Sequence, residues 1–134
     1  MTGDIDVPRL FRLTVEVDDL GRAAAFYSAL FALDAREQGG GRCYFDCGPV
    51  TLQVLDVSSR GAVQSLPKSL YFTVDRLDGV FERARELGCL STAPVHGTPG
   101  GQIAERPWGE RSFYVDDPWG NSLCFVEAGT VYGG

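Results

Sequence analysis

The sequence predicts an α+β domain built from two tandem units of the order β-α-β-β-β. Three observations point there. Alternating apolar and polar residues mark the strands. One amphipathic stripe at helical spacing occurs in each half. The halves also run in step: Val17, Asp18 and Leu20 recur as Val74, Asp75 and Leu77, an offset of 57 positions, the signature of an internal repeat. A chain of 134 residues suits one domain of the usual ~100–200 residues.

Residues 10–17 alternate, with Leu13, Val15 and Val17 on one side and Arg12, Thr14 and Glu16 on the other, which reads as a half-buried strand with a polar second face. Asp18 or Asp19 supplies an N-cap, and Leu20, Ala23, Tyr27, Leu30 and Phe31 follow at helical spacing. A weakly marked strand near residues 35–38 precedes the turn at Gly39-Gly40-Gly41, and residues 42–47 and 50–57 read as strands around Gly48-Pro49. The polar stretch 58–68 is the connector. In the second half, residues 70–74 form a strand, Asp75 is the expected N-cap, and Leu77, Val80, Phe81, Ala84 and Leu87 form the helical stripe that Gly88 ends. Residues 89–93 read as a short extended segment before a Gly/Pro loop. Strands at 112–116 and 122–127 flank the tight turn Asp117-Pro118-Trp119-Gly120. The expected organisation is one domain over 1–134, with units at 8–57 and 69–128, the connector at 58–68 and a tail at 129–134. Each unit has four strands and one covering helix, so the uncovered sheet face must close over the other unit, a partner chain or a ligand.

Composition narrows the function classes. Acidic residues outnumber basic ones 18 to 12, a net charge of −6, which argues against nucleic acid and against anionic lipid as partners. No apolar run approaches the ~18–20 residues of a membrane span, and the acidic start Met1-Thr2-Gly3-Asp4-Ile5-Asp6 is unlike a basic signal peptide. The expectation is a cytoplasmic protein. The one histidine, His96, cannot build a 2-His-1-carboxylate site within one copy; in its turn-rich loop it reads as exposed. Cys43, Cys47, Cys89 and Cys124 form no CxxC motif. Four residues apart on a strand, Cys43 and Cys47 would lie roughly 13 Å apart, too far for a disulfide; all four read as reduced thiols.

Three segments carry a more specific signal. Val17-Asp18-Asp19-Leu20-Gly21-Arg22-Ala23-Ala24-Ala25-Phe26-Tyr27, Glu105-Arg106-Pro107-Trp108-Gly109-Glu110-Arg111 and Asp117-Pro118-Trp119-Gly120-Asn121-Ser122-Leu123-Cys124-Phe125-Val126 resemble motifs of the vicinal oxygen chelate superfamily, in its glyoxalase/bleomycin-resistance/dioxygenase branch. The resemblance spans about residues 8–128. It implies a U-shaped mixed sheet around a cavity, often completed by dimerisation, and it places the enzymes' divalent-metal ligands at four strand positions. Those positions fall here on Arg12, Gln53, Ser69 (or the adjacent Leu70) and Cys124, which is not the oxygen-rich shell that Mg²⁺ or Mn²⁺ prefers. No cofactor and no catalytic residue is therefore expected.

Strand periodicity then assigns the cavity wall: Arg12, Thr14 and Glu16; Thr51, Gln53 and Leu55; Tyr71 and Thr73; Ser122, Cys124 and Val126, with Trp108 and Trp119 in loops beside it. The expected ligand contacts are Arg12, Thr14, Glu16, Gln53, Tyr71, Trp108, Arg111 and Cys124, around a small organic molecule in a cavity between the two units or at a homodimer interface. Arg12 would anchor a carboxylate or phenolate and Trp108 would stack on a flat ring. Plainer readings stand beside these: Arg12 paired with an acidic neighbour, Trp119 packed on a strand, Trp108 and Arg111 as loop scaffold, Gln53 in a local hydrogen bond, Cys124 as a small buried hydrophobe. Two other functions remain open: a metal-dependent lyase, isomerase or dioxygenase with relocated ligands, and an interaction protein whose cavity is filled.

Overall fold

In the computed structural model, residues 5–133 are described; the start of the chain, residues 1–4, and the final residue of the expected tail lie outside them. The first half folds as β1 (Arg12–Val17), α1 (Leu20–Phe31), β2 (Arg36–Gln38), β3 (Arg42–Cys47) and β4 (Val50–Asp56). The second folds as β5 (Leu70–Val74), α2 (Leu77–Leu87), a two-residue hairpin of β6 (Pro94–Val95) and β7 (Thr98–Pro99), then β8 (Ala104–Glu105), β9 (Arg111–Asp116) and β10 (Ser122–Glu127). Each half makes one four-stranded sheet, in the orders β1-β4-β3-β2 and β5-β10-β9-β8. In both, the first and last strands pair parallel and the other pairs run antiparallel. The fold is thus α+β, two copies of one topology, as the repeat predicts, and the helices begin 57 positions apart.

Both helices cover their sheets. Ala23, Tyr27 and Leu30 of α1 and Leu77, Val80 and Ala84 of α2 are buried, whereas Leu87, expected on the stripe, is half exposed because it is the last residue of α2. One continuous apolar core joins Val15, Val54 and Phe45 of the first sheet to Phe113, Leu123 and Phe125 of the second. The helices pack on each other, and Phe31 of α1 lies against Phe72 and Phe125 of the opposite sheet. The two units therefore meet through their helix-covered faces.

A polar node ties them. Asp117, 4% exposed, accepts the backbone N–H groups of Trp119 and Asn121 on Oδ1 (2.9 and 2.8 Å) and the Tyr27 hydroxyl and Asn121 amide on Oδ2 (2.5 and 2.8 Å). Asn121, fully buried, accepts from the Leu66 backbone N–H (2.8 Å) and donates to the Glu16 carbonyl (3.3 Å). One turn thus holds α1, β1 and the connector. Desolvation and the neighbouring carboxylate raise the Tyr27 phenol far above its ordinary value.

Several local expectations need correction. Asp19, with Oδ1 accepting from the Arg22 backbone N–H (3.0 Å), caps α1, while Asp18 accepts the Trp119 indole N–H (2.6 Å). The cap position of α2 is Arg76, with no side-chain cap, rather than Asp75. Residues 89–93 contribute one bridge, Leu90 to Val115, and the strand that completes the second sheet is β8. The intervening hairpin was not expected. His96 and Gly97 form its tip with φ of 48° and 82°, the mirror-image turn geometry that matches strand twist. Its base is pressed against the preceding chain: a Cβ on Gly100 would lie 2.8 Å from the Ala93 carbonyl oxygen, and one on Gly101 would collide with that of Ser91.

These contacts set three outcomes. Asp117→Ala, which orphans several buried donors, should lower unfolding free energy by about 3–5 kcal/mol, and Tyr27→Phe by about 1–2 kcal/mol, read from urea midpoints. Gly101→Ala should also destabilise, with loss concentrated in hydrogen-exchange protection of the hairpin. Burial pushes the Cys89 thiol from 9.0 up to about 11. The unfolded thiol ionises first, so its contribution is whole below pH 9 and is lost as pH rises toward 11. Urea midpoints taken across that window should fall less steeply in Cys89→Ala than in the parent chain.

Candidate functional site

Strand registry confirms a shared polar face in each unit. In the first sheet, Thr14 stands opposite Gln53, Arg12 opposite Thr51 and Glu16 opposite Leu55 across β1 and β4, and Tyr44 of β3 faces Gln53 from the other side. In the second, Tyr71 and Thr73 stand opposite Cys124 and Val126, with Tyr114 of β9 beside Cys124. Because the helix-covered faces share the core, the two polar faces look away from it. Within one chain they make no hydrogen bond or aromatic contact with each other among the described residues.

On the first face, the Arg12 guanidinium lies over the rings of Phe11 and Tyr44, 5.1 and 5.2 Å from their centroids, and Arg36 lies 5.1 Å from the Tyr44 centroid. Two cations thus flank one phenol ring, each arrangement favourable to the ring's quadrupole. Arg36 also grips Asp46 through two 2.9 Å hydrogen bonds, which hold the Asp46 carboxyl below its ordinary value. Arg12 takes part in none of the ion pairs among the described residues, so the acidic neighbour weighed for it is not there. Gln53, 8% exposed, donates from Nε2 to Thr14 Oγ1 (2.9 Å), and its Oε1 has no partner. Glu16 accepts the Gln64 backbone N–H (3.0 Å), which commits one of its oxygens to the connector.

The second face is partly filled from within. Val95 of the hairpin packs on Tyr114, Cys124 and Val126. Behind it sits Arg106, 2% exposed, which donates from Nε to Ser112 Oγ (2.9 Å), from Nη2 to the Ser112 carbonyl (3.1 Å) and from Nη1 to Thr98 Oγ1 (3.2 Å). Its guanidinium lies 5.3 Å from the Tyr114 centroid and forms no ion pair among the described residues. Tyr71, 62% exposed, touches Tyr114 edge-on, with hydroxyls 3.4 Å apart. Burial raises the Cys124 thiol, a larger effect than the lowering by Ser112, Tyr114 and Arg106. Cys124 is a buried thiol in a hydrogen-bonded pocket, without a base.

The remaining residues singled out from the sequence have partners within the chain. Trp108 donates to Glu110 (2.7 Å) and meets the His96 ring edge-on at 5.0 Å, over the hairpin tip. Arg111 pairs with Glu127 (2.7 Å) and Asp78 (3.4 Å). Trp119 is held by Asp18 and covered by Arg22, 5.4 Å from its centroid. Ser69 shares a hydrogen bond with Ser122 (2.7 Å). The structure therefore brings Arg12, Thr14, Glu16 and Gln53 together on one face and Tyr71 and Cys124 on another, sets Trp108 over the tip of the hairpin that packs on the second face, and directs Arg111 to Glu127 and Asp78. A cavity of about 590 Å³ does lie between the units, but on the helix-covered side, and of the expected contacts only Tyr71 lines it.

The residues at the four positions tied by resemblance to metal ligands do not fit a divalent ion. A guanidinium has no lone pair to give, the Ser69 hydroxyl is engaged with Ser122, Cys124 offers a soft sulfur rather than an oxygen, and the one unengaged oxygen, Gln53 Oε1, does not make a shell by itself. No step through a metal is derived. Sequence reading missed Arg106 and Tyr44. The first lay inside a quoted motif; only its burial, invisible in one dimension, distinguishes it. The second shares the strand parity of the polar face, a signal that β3 carried. Arg106→Lys should fail to restore the forked bonds and lower unfolding free energy by about 2–3 kcal/mol, with the hairpin the first segment to lose protection from hydrogen exchange.

Comparison with known proteins agrees with the architecture. The sequence profile described as the Glyoxalase/Bleomycin resistance protein/Dioxygenase superfamily matches residues 9–125. Among solved structures, Oxidase ChaP-H2 is 27% identical with a TM-score of 0.70, the alignment covering 96% of this chain and 98% of that one. A lactoylglutathione lyase from Agrobacterium tumefaciens is 26% identical over 94% of this chain and 97% of its own, with a TM-score of 0.63. TioX from Micromonospora sp. ML1, at 18% identity, a TM-score of 0.66 and coverage of 89% and 98%, shares the fold. No curated protein matches the chain. With the profile spanning both units and their polar faces, this chain belongs to the Glyoxalase/Bleomycin resistance protein/Dioxygenase superfamily.

Proposed function

We propose that the chain is a metal-free binding protein of this superfamily, which captures a small organic molecule on the polar face of the first unit. The observation that carries this reading is Gln53. Its Oε1 is buried without a partner, a costly state unless something else supplies a hydrogen-bond donor. Arg12 stands on the same face with a cation held against the Tyr44 ring. A planar acid or phenolate with an N–H or O–H group answers the cation and the acceptor: its charge and ring to the Arg12 guanidinium, its donor to Gln53. The set holds no catalytic acid–base pair.

A homodimer is part of the same proposal. β1 and β5 each lie at one edge of their sheet, an arrangement of the kind that recruits another chain. Leu10, Phe11 and Tyr71, at or near these edges, are exposed. A second copy that set its second face opposite the first face of this one would enclose the ligand. Among the described residues no helix is long and apolar enough to cross a membrane, and a cytoplasmic location belongs to the proposal.

The second reading, a metal-dependent lyase, isomerase or dioxygenase with atypical ligands, draws on the printed names of the oxidase and lyase neighbours. Native mass spectrometry of protein purified from its own cytosol separates the two. The expected result is a dimer with no stoichiometric divalent metal and a retained organic molecule, whose occupancy drops at least tenfold in Gln53→Leu and Arg12→Ala. One tightly held metal per chain, or a monomer at micromolar concentration, would overturn the proposal.

A further inference from the structure

We propose a second ligand site, lined by none of Arg12, Thr14, Tyr44 and Gln53: the seam cavity between the two units takes an apolar anion, a carboxylate carried on a hydrocarbon body. The cavity measures about 590 Å³, within the ~300–1,000 Å³ of small-molecule sites. Its wall is Leu30 and Phe31 from α1, Leu52 from β4, Phe72 from β5, Val80 from α2 and Phe125 from β10. Both helices and both sheets therefore contribute, and the exposed Leu10 and Tyr71 stand at the mouth.

Two charged side chains reach this cavity, Asp46 and Arg83. Asp46 is engaged by Arg36 through both carboxylate oxygens. Arg83 donates from Nε to the Leu30 carbonyl at the end of α1 (3.0 Å) and forms no ion pair among the described residues. That one bond fixes the guanidinium at the cavity wall and leaves its Nη1 and Nη2 donors for a carboxylate, the group whose geometry a guanidinium fork matches. An uncharged ligand would leave this cation unanswered; a purely polar anion would leave the aromatic and aliphatic wall unfilled. The combination selects an amphiphilic acid.

The test titrates the full chain with dodecanoate below its micellar concentration by calorimetry, with dodecanol as the uncharged control. The expected result is one dodecanoate per chain, bound at least tenfold tighter than dodecanol, with a raised Tm, the mark of preferential binding to the folded state. Arg83→Gln should erase the preference for the acid, and Arg83→Lys should restore part of it. Val50→Trp, which places a bulky ring at a partly exposed position on the lining, should abolish binding, while Gln53→Leu on the polar face should leave it unchanged. Absence of saturable binding would overturn the proposal and leave the cavity to a second copy of the chain. A fall in Tm, binding indifferent to Arg83→Gln and Val50→Trp, or binding lost in Gln53→Leu would overturn it as well.

Discussion

The Asp117 carboxylate is the constraint on which the two-unit arrangement rests. A buried carboxylate is tolerated only when its lone pairs are answered, and here four donors converge on it from the β9–β10 turn, its Asn121 and α1. Asn121 extends the node to β1 and the connector. Apolar packing between the units is non-directional and would permit several relative rotations. The hydrogen bonds fix one of them, and with it the outward direction of both polar faces.

The repeat is symmetric in topology and asymmetric in use. In the first unit no hairpin stands between α1 and β2, and Tyr44 and Gln53 are buried among their own strand neighbours and the Arg12 and Arg36 guanidinium groups. In the second, the corresponding stretch between helix and third strand contains the hairpin, and Val95 and Arg106 occupy the space above Tyr114 and Cys124. A buried guanidinium without a carboxylate is held here by hydroxyl and carbonyl oxygens and by a ring face, which disperse its charge. The polar chemistry of the molecule is thus concentrated on the first face, and the second contributes mostly shape.

Much of this was legible in the chain. The period-2 alternation around Val15 and the helical stripe through Tyr27 are local signals, and they place nearly every long element within two residues. The parity rule put Arg12, Thr14 and Gln53 on one face because adjacent strands must share it. The hairpin was not legible, since two-residue strands carry no periodicity and their pairing depends on a turn at His96-Gly97 and on the close fit of Gly100 and Gly101. The neighbours of Trp108 and Arg111 were not legible for a related reason: they are set by the path of the chain in three dimensions, and they are His96, Glu110, Glu127 and Asp78. The seam cavity depends on how two units dock, which no single segment encodes.

The Asp117 node and the shared core lie on one side of each sheet, and Arg12, Tyr44 and Gln53 on the other. Substitutions at the latter positions touch neither the node nor the packing that orders the units. The scaffold can therefore exchange its recognition surface without surrendering its folded shape, so the lining is free to diverge under selection for a new ligand while the Asp-Pro-Trp-Gly-Asn turn is not. A duplicated unit sharpens that freedom, because one copy can drift while its twin keeps the assembly standing.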